Sequence, residues 1–231
     1  MKKFILLLGV MSIGLYTCAQ DTLILGSSLA SFKNQKGISE NNVVKIGQKI
    51  LIENKISKRV PILIDRKKMA NAESSPYDKI VTVHEGILFY LDNEDELAFI
   101  LSHEIAHSVE AYGGMAKYIA MNANSKKYEQ KADLNGIDYM VKAGYDPIAA
   151  ITIANKLFGE PIWDWGFAYT HPKGSKRLID MYKYIYVKYP KYLNSPLTNS
   201  PSYKNFEFAM SKEISSFQQK QKRKQMKDNL W

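Results

Sequence analysis

The sequence predicts an α+β fold that is mainly helical, with a small sheet beside one largely buried helix. Short runs rich in Val and Ile at residues 60–65 and 79–86 are typical of strands. An apolar surface with helical spacing covers residues 93–112, and helical patterns follow at 125–143 and 148–158. The chain has 231 residues, 45% of them hydrophobic, which is enough for one core. We therefore expect a single folded domain.

The first residues have the composition of an export signal. Met1-Lys2-Lys3 is basic, residues 4–16 are apolar but too few for a stable membrane anchor, and Thr17-Cys18-Ala19 is small. Cleavage after Ala19 would remove residues 1–19 and leave a chain without cysteine. We expect an exported protein, located in the periplasm or secreted.

A second cleavage site is also compatible with this segment. Residues 15–18 resemble a loose bacterial lipobox, although Tyr16 and Thr17 are unusual there. Removal of residues 1–17 would leave Cys18 as a lipid-carrying membrane tether, and the protein would be an outer-membrane lipoprotein. Both alternatives remain open at this stage.

The remaining chain divides into a spacer at residues 20–37, a catalytic domain at 38–190 and a helical tail at 191–231. None of these contains another stretch of membrane-spanning length, so we expect no transmembrane helix in the mature chain. The net charge is +9, and residues 204–231 hold seven basic and three acidic side chains. Because the excess is concentrated in the tail, this pattern argues against a nucleic-acid-binding protein.

The domain begins with a helical pattern from Ser39 to about Lys58, before the first predicted strand. Residues 69–72 form a short extended piece between the two strands. His84 falls in the second strand, where we interpret it as an ordinary strand residue. The expected order is helix, small sheet, then helices.

The central motif is His103-Glu104-Ile105-Ala106-His107, inside the helix that starts at residue 93. Asn93 with Glu96 three positions later is a helix-start signal. Residues four apart lie one above the other on a helix, so His103 and His107 can offer two imidazole nitrogens to one metal ion. Glu104 can then accept a proton from a water molecule at the open side of the ion. This pattern predicts a zinc hydrolase.

A catalytic zinc ion needs a third protein ligand. Glu110 continues the His103/His107 face, but three ligands along one straight helix span about 10 Å and cannot converge on a tetrahedral ion. Glu129 lies on a later helix that runs antiparallel to the first, so its carboxylate can reach the same ion as the two imidazoles. Asp133, one turn further, can hydrogen-bond a ligand histidine and fix its tautomer.

Several motifs together resemble the zinc metallopeptidases of the CAAX prenyl endopeptidase, HtpX and Oma type, which are HExxH gluzincins. The resemblance covers roughly residues 38–190, and the chain is similar to short soluble periplasmic members. The tail has no counterpart in that family. The matching motifs are His103-Glu-Ile-Ala-His107, Glu129-Gln-Lys-Ala-Asp133, Ala143-Gly-Tyr-Asp-Pro147, Asn71-Ala72, and Thr170-His171-Pro172 followed by Arg177.

The resemblance implies a zincin-like metallopeptidase domain with one zinc ion per chain and Glu129 as the third ligand. It further implies that His171 stabilises the oxyanion, that Arg177 orients the site, and that Asn71 and Ala72 lie on a strand that binds the substrate. An extended peptide held by backbone hydrogen bonds would tolerate many sequences. The implied activity is broad endopeptidase action on unfolded segments.

Three other segments have two interpretations each. Residues 112–124 form a mobile loop or a short helix, which could gate the site. Aromatic residues 163–169 are a hydrophobic plug or a wall of the substrate pocket. Basic residues 220–227 are a solvated helix end or a site for an anionic surface or partner. The tail also has an apolar stripe at helical spacing, which we expect to dock on the domain. It comprises Phe206, Met210, Ile214 and Phe217.

The sequence thus predicts a zinc-dependent endopeptidase whose substrates are polypeptides of the cell envelope, with quality control of misfolded proteins as its setting. One alternative is an envelope chaperone or assembly factor that keeps the protease scaffold as a binding surface. The intact Glu104 argues against this alternative, since a scaffold needs no general base. A second alternative is an amidase that acts on cell-wall peptides.

Overall fold

The structure, a computed structural model, describes residues 22–25, 33–75, 77–159 and 174–228. Four strands form one sheet in the order β1-β2-β4-β3. Strands β1, β2 and β4 run parallel, and β3 pairs antiparallel with β4, so β3 is an edge of the sheet within the described ranges. The strands are β1 (Thr22–Leu25), β2 (Ile62–Asp65), β3 (Ala72–Ser75) and β4 (Ile80–His84).

Helices make up most of the remaining described chain, in agreement with the predicted α+β class. Within the described ranges, no helix combines the length and apolar character needed to cross a membrane. The α-helices are α1 (Glu40–Glu53), α2 (Glu94–Ala111), α3 (Met115–Ala123), α4 (Ser125–Lys142), α5 (Ile148–Gly159), α6 (Ser175–Lys188), α7 (Pro201–Ala209) and α8 (Ser211–Asp228).

Two expectations about the sheet need correction. The spacer at residues 20–37 is polar as a whole, which predicts little structure of its own, but it contributes β1, which pairs in parallel with β2. The extended piece expected at 69–72 largely precedes the strand, because β3 spans Ala72–Ser75. The domain bounds stay predictions, and the export signal with Cys18 lies outside the described residues.

Helix α2 is the central element of the fold. Its N-cap is Asn93, whose side chain accepts a hydrogen bond from the backbone N–H of Glu96 at 2.9 Å. The Glu96 carboxylate in turn accepts the backbone N–H of Asp92 at 2.7 Å, which confirms the predicted start signal. Helices α1, α4 and α5 and strands β3 and β4 all contact α2. The helix is therefore held from several sides.

The tail packs against the domain through its apolar stripe, as the sequence predicts. Phe206 on α7 is fully buried, and Met210, Ile214 and Phe217 pack against the core. The Phe217 ring lies edge-on to the rings of Tyr182 and Tyr186 on α6. The first half of α8 is thus anchored to α6.

Candidate metal centre

His103 and His107 lie one turn apart on α2 and face the same point. Their Nε2 atoms are 3.2 Å apart. His103 is 1% exposed, because α2 is packed on several sides at this level. The helix thus presents two imidazole nitrogens from a largely buried surface, as the motif predicts.

Glu129 on α4 reaches the same point from the neighbouring helix. Its Oε1 lies 3.1 Å from His107 Nε2, and its Oε2 lies 3.5 Å from His103 Nε2. Two ligands of a tetrahedral zinc ion, each about 2.0–2.1 Å from the metal, are about 3.3 Å apart. The three observed separations fit this value, and these residues form a group that could hold a metal ion.

Glu110, the alternative third ligand, makes different contacts. Its carboxylate pairs with the ammonium groups of Lys117 on α3 and Lys131 on α4. Partial burial raises the pKa of Glu110, but the two lysines outweigh it and hold the pKa below its usual value. Residues 115–123 form a short helix, α3, and its Lys117 is tied to α2 by this pair.

Asp133 and Arg177 lie immediately behind the cluster. Asp133 Oδ1 is 3.1 Å from His103 Nδ1, on the side of the ring away from Glu129. Arg177 on α6 donates from Nε and Nη2 to the two Asp133 oxygens at 2.7 and 2.6 Å. Its Nη1 lies 3.0 Å from Glu129 Oε2. Arg177 therefore connects Glu129 to Asp133, which in turn contacts His103.

Opposite charges within the cluster compensate one another when no metal ion is bound. Burial disfavours the charged form of His103, but Asp133 and Glu129 outweigh burial and raise the pKa of His103 to about 10. Burial also raises the pKa of Asp133, but Arg177 and His103 hold it below its ordinary value. In the metal-free protein His103 is therefore a cation near neutral pH, and a metal ion must displace its proton.

Glu104 lies next to His103 on α2, and its side chain is fully buried. Burial lowers the pKa of Arg177, but the charges of Asp133, Glu129 and Glu104 outweigh burial and hold this pKa above its ordinary value. A carboxylate at this position in a water-poor site can accept a proton during catalysis. His171 and the aromatic residues 163–169 lie outside the described residues.

The two residues predicted to bind the substrate lie at the start of the edge strand. Asn71 and Ala72 are both buried, and the Asn71 carbonyl accepts the backbone N–H of His84 on β4 at 2.9 Å. No pattern in the sequence indicates the hydrogen bond that ties this strand to α2. The hydroxyls of Ser74 on β3 and Ser108 on α2 are 2.7 Å apart.

Gly136 was also missed, and it sets the distance between α4 and α2. A Cβ atom at Gly136 would lie 3.1 Å from the backbone nitrogen of His103 and 3.2 Å from its Cα. Such a contact is tighter than ordinary packing, so any larger residue here would have to push the two helix backbones apart by a few tenths of an ångström. A glycine in a helix interior, where it costs stability, is a signal that could have indicated this approach.

Replacing Gly136 by Ala is expected to weaken zinc binding, because α4 must move away from His103 and take Glu129 with it. Higher helix propensity would raise the free energy of unfolding by about 1 kcal/mol. Overpacking would lower it by about 1–3 kcal/mol. Urea unfolding and competitive zinc titration would measure both effects. Lys127→Ala, at an exposed position of α4, is the control. Unchanged zinc affinity in Gly136→Ala would contradict the proposed role of this glycine.

Replacing Asp133 by Asn is expected to reduce zinc affinity by about 10–100-fold, because His103 loses the carboxylate that fixes its tautomer. Competitive titration with a chromophoric chelator would measure the change. Asp138→Asn is a matched control on the same helix, since Asp138 binds Tyr184, Tyr189 and Lys188 instead. An equal loss of zinc affinity in both variants would show that removing either carboxylate disturbs α4 in general. That result would contradict the specific role of Asp133.

Comparison with known proteins agrees with this geometry. A model of peptidase family M48 matches residues 38–112 and 109–184. The chain is 30% identical over 146 residues to the mitochondrial metalloendopeptidase OMA1 of Arabidopsis thaliana, across 50% of this chain and 30% of that protein. It is 30% identical over 145 residues to the mitochondrial metalloendopeptidase OMA1 of Schizosaccharomyces pombe, across 49% of this chain and 43% of that protein.

The matched region thus spans less than half the length of these relatives. The family match includes the two histidines, Glu129, Asp133 and Arg177. The resemblance to Oma-type metallopeptidases that the motifs indicated is confirmed, and the chain belongs to peptidase family M48.

Proposed function

We propose that this protein is a zinc-dependent metalloendopeptidase. The observation that carries the proposal is the convergence of His103, His107 and Glu129 within tetrahedral ligand distances, with Glu104 buried beside them. Two imidazoles and one carboxylate are a ligand set that catalytic zinc sites use. The family membership and the names of the two relatives support the same activity.

The roles of the protein's own groups follow from their positions. When bound, zinc would supply Lewis-acid polarisation of the scissile carbonyl and lower the pKa of a water molecule. Glu104 would accept a proton from the attacking water and deliver it to the leaving amine. Asp133 would hold the His103 ring in the tautomer whose Nε2 lone pair is available.

Two further residues complete the proposed site. Arg177 would fix the Glu129 carboxylate through the contact at 3.0 Å, and would compensate the charge of Asp133. His171 would hydrogen-bond the oxyanion that forms at the scissile carbonyl. This role of His171 rests on the family resemblance.

The proposed substrate is an unfolded polypeptide that pairs with the edge strand β3. One side of β3 is bonded to β4, and β3 lies at the end of the strand order. An extended peptide could add to the other side through backbone hydrogen bonds, which depend little on sequence. The Ser74–Ser108 contact supports this placement, because it ties β3 to the helix that carries the histidines.

The proposed setting is the cell envelope, with misfolded envelope proteins as substrates. This part of the proposal rests on the export signal at residues 1–19 and on the alternative lipid tether at Cys18. Labelling with a radioactive fatty acid in a bacterial host would distinguish the tether from a cleaved soluble form. Loss of the label in Cys18→Ser would identify the site.

The test of the activity is metal content together with cleavage of unfolded casein by the purified chain. We expect one zinc ion per chain and cleavage that a chelator abolishes and added zinc restores. One zinc ion without cleavage in any condition would favour the alternative of a binding scaffold. A chain that retains no zinc would contradict the proposed site.

A further inference from the structure

The second half of α8 carries a basic stripe, which we define as Lys220, Arg223, Lys224 and Lys227. The spacing of i, i+3, i+4 and i+7 places these four side chains along one side of the helix. All four are exposed, and no acidic residue occurs between positions 214 and 227. The stripe is about 10 Å long, since each residue adds about 1.5 Å of rise.

The contacts of α8 with the domain fix the direction of the stripe. Phe217 packs on Tyr182 and Tyr186, and the Gln218 side-chain amide donates to the Tyr182 hydroxyl at 2.8 Å. At 3.6 residues per turn, the basic stripe is centred roughly a third of a turn away from this docked side. The stripe therefore faces solvent while the helix stays anchored.

Several other lysines on helices of this protein pair with a carboxylate, and within the described residues the members of the basic stripe do not. Lys176, Lys188 and Lys204 each pair with a carboxylate on their own or a neighbouring helix. Among the residues that the structure describes, no ion pair involves any member of the basic stripe. Like charges at these spacings repel and destabilise a helix by about 0.2–0.5 kcal/mol per pair. A surface that keeps such repulsion fits a polyanionic partner.

We propose that the basic stripe binds the surface of an anionic phospholipid membrane. A cluster of four or more Lys and Arg side chains on one exposed helix is suited to a plane of lipid phosphates. Met226 lies on the exposed side next to the stripe and is 66% exposed, so an apolar group is available to enter the headgroup region. This contact would hold the metal centre near the membrane.

Two observations favour lipid over nucleic acid. Residues 218–228 contain no aromatic side chain, and proteins that bind single-stranded nucleic acid stack bases on aromatic rings. The exposed apolar side chain of Met226 beside the stripe also fits a lipid headgroup region better than a phosphate backbone. The inference is independent of the proposed protease activity, since its readout is binding.

The experiment is a flotation assay of the chain from Gln20 onward, without the predicted export signal, with vesicles of phosphatidylcholine alone or mixed equally with phosphatidylglycerol. The apolar residues 4–16 and Cys18 are then absent, so neither an apolar segment nor an acyl chain contributes to binding. The stripe variant is Lys220→Gln, Arg223→Gln, Lys224→Gln and Lys227→Gln combined. The matched control removes four exposed charges elsewhere: Lys36→Gln, Lys45→Gln, Lys126→Gln and Lys127→Gln.

We expect binding to the anionic vesicles only, weakened by added salt because exposed charges are screened. The stripe variant should partition about a thousandfold less strongly, while the control should bind like the parent. Far-UV circular dichroism would show that both variants keep their helix content. Equal binding to both vesicle types, an equal loss in the control, or preference for duplex DNA or polyglutamate over vesicles would each overturn the proposal.

Discussion

Replacing Glu104 by Gln is expected to reduce the cleavage of unfolded casein by about 10²–10⁴-fold while zinc stays bound. The amide keeps the size of the side chain but cannot accept a proton from water. The proposed ligand atoms belong to His103, His107 and Glu129, so the substitution leaves that group unaltered. Initial cleavage rates and zinc content, measured on the same preparation, would separate these two effects.

Glu110→Gln is the matched control for this variant, because it makes the same chemical change two turns along α2. Glu110 pairs with Lys117 and Lys131, away from the ligand atoms, so the control should cleave at nearly the parent rate. Cleavage by Glu104→Gln at the parent rate would rule out Glu104 as the general base. Loss of zinc in that variant would instead assign it a structural role.

The centre of the fold could be predicted because its signals are local. The cap at Asn93, the apolar surface of α2 and the four-residue spacings at His103/His107 and Glu129/Asp133 all lie within single helices. Only a short segment, which contains α3, separates α2 from α4. The two helices are therefore expected to pack side by side and antiparallel. Helix periodicity then places the ligands on facing sides.

The edge strand could not be located from its own residues. β3 has the sequence Ala-Glu-Ser-Ser, which contains no β-branched or aromatic side chain. Its extended form comes from pairing with β4, where Ala72 lies opposite Val83. Such pairing between separate segments is not encoded in a local pattern.

Two other features depend on contacts between distant segments. β1 is a short apolar run, Thr-Leu-Ile-Leu, within a polar stretch, and its pairing with β2 joins residues about forty positions apart. Gly136 matters only because the backbone of His103 lies against it. These residues can be read from the sequence, but the segments that pack against them in the fold cannot.

Withdrawal of zinc is expected to lower the melting temperature without unfolding the protein at room temperature. Zinc at about a thousand times its dissociation constant adds about 4 kcal/mol to the free energy of unfolding. For a domain of this size, this corresponds to a shift of about 8–16 °C. The metal-free fold should persist because protonated His103 and Arg177 compensate the buried charges of Glu129 and Asp133.

Differential scanning calorimetry of the apo and zinc-loaded chain would measure this shift. His107→Ala provides the control, because it removes one ligand while leaving the contacts among His103, Asp133 and Arg177 in place. We expect this variant to melt near the apo temperature and to gain little from added zinc. Equal melting temperatures of the parent with and without zinc would contradict the site. Complete unfolding of the apo chain at room temperature would instead show that His103 and Arg177 do not stabilise the carboxylates without the metal.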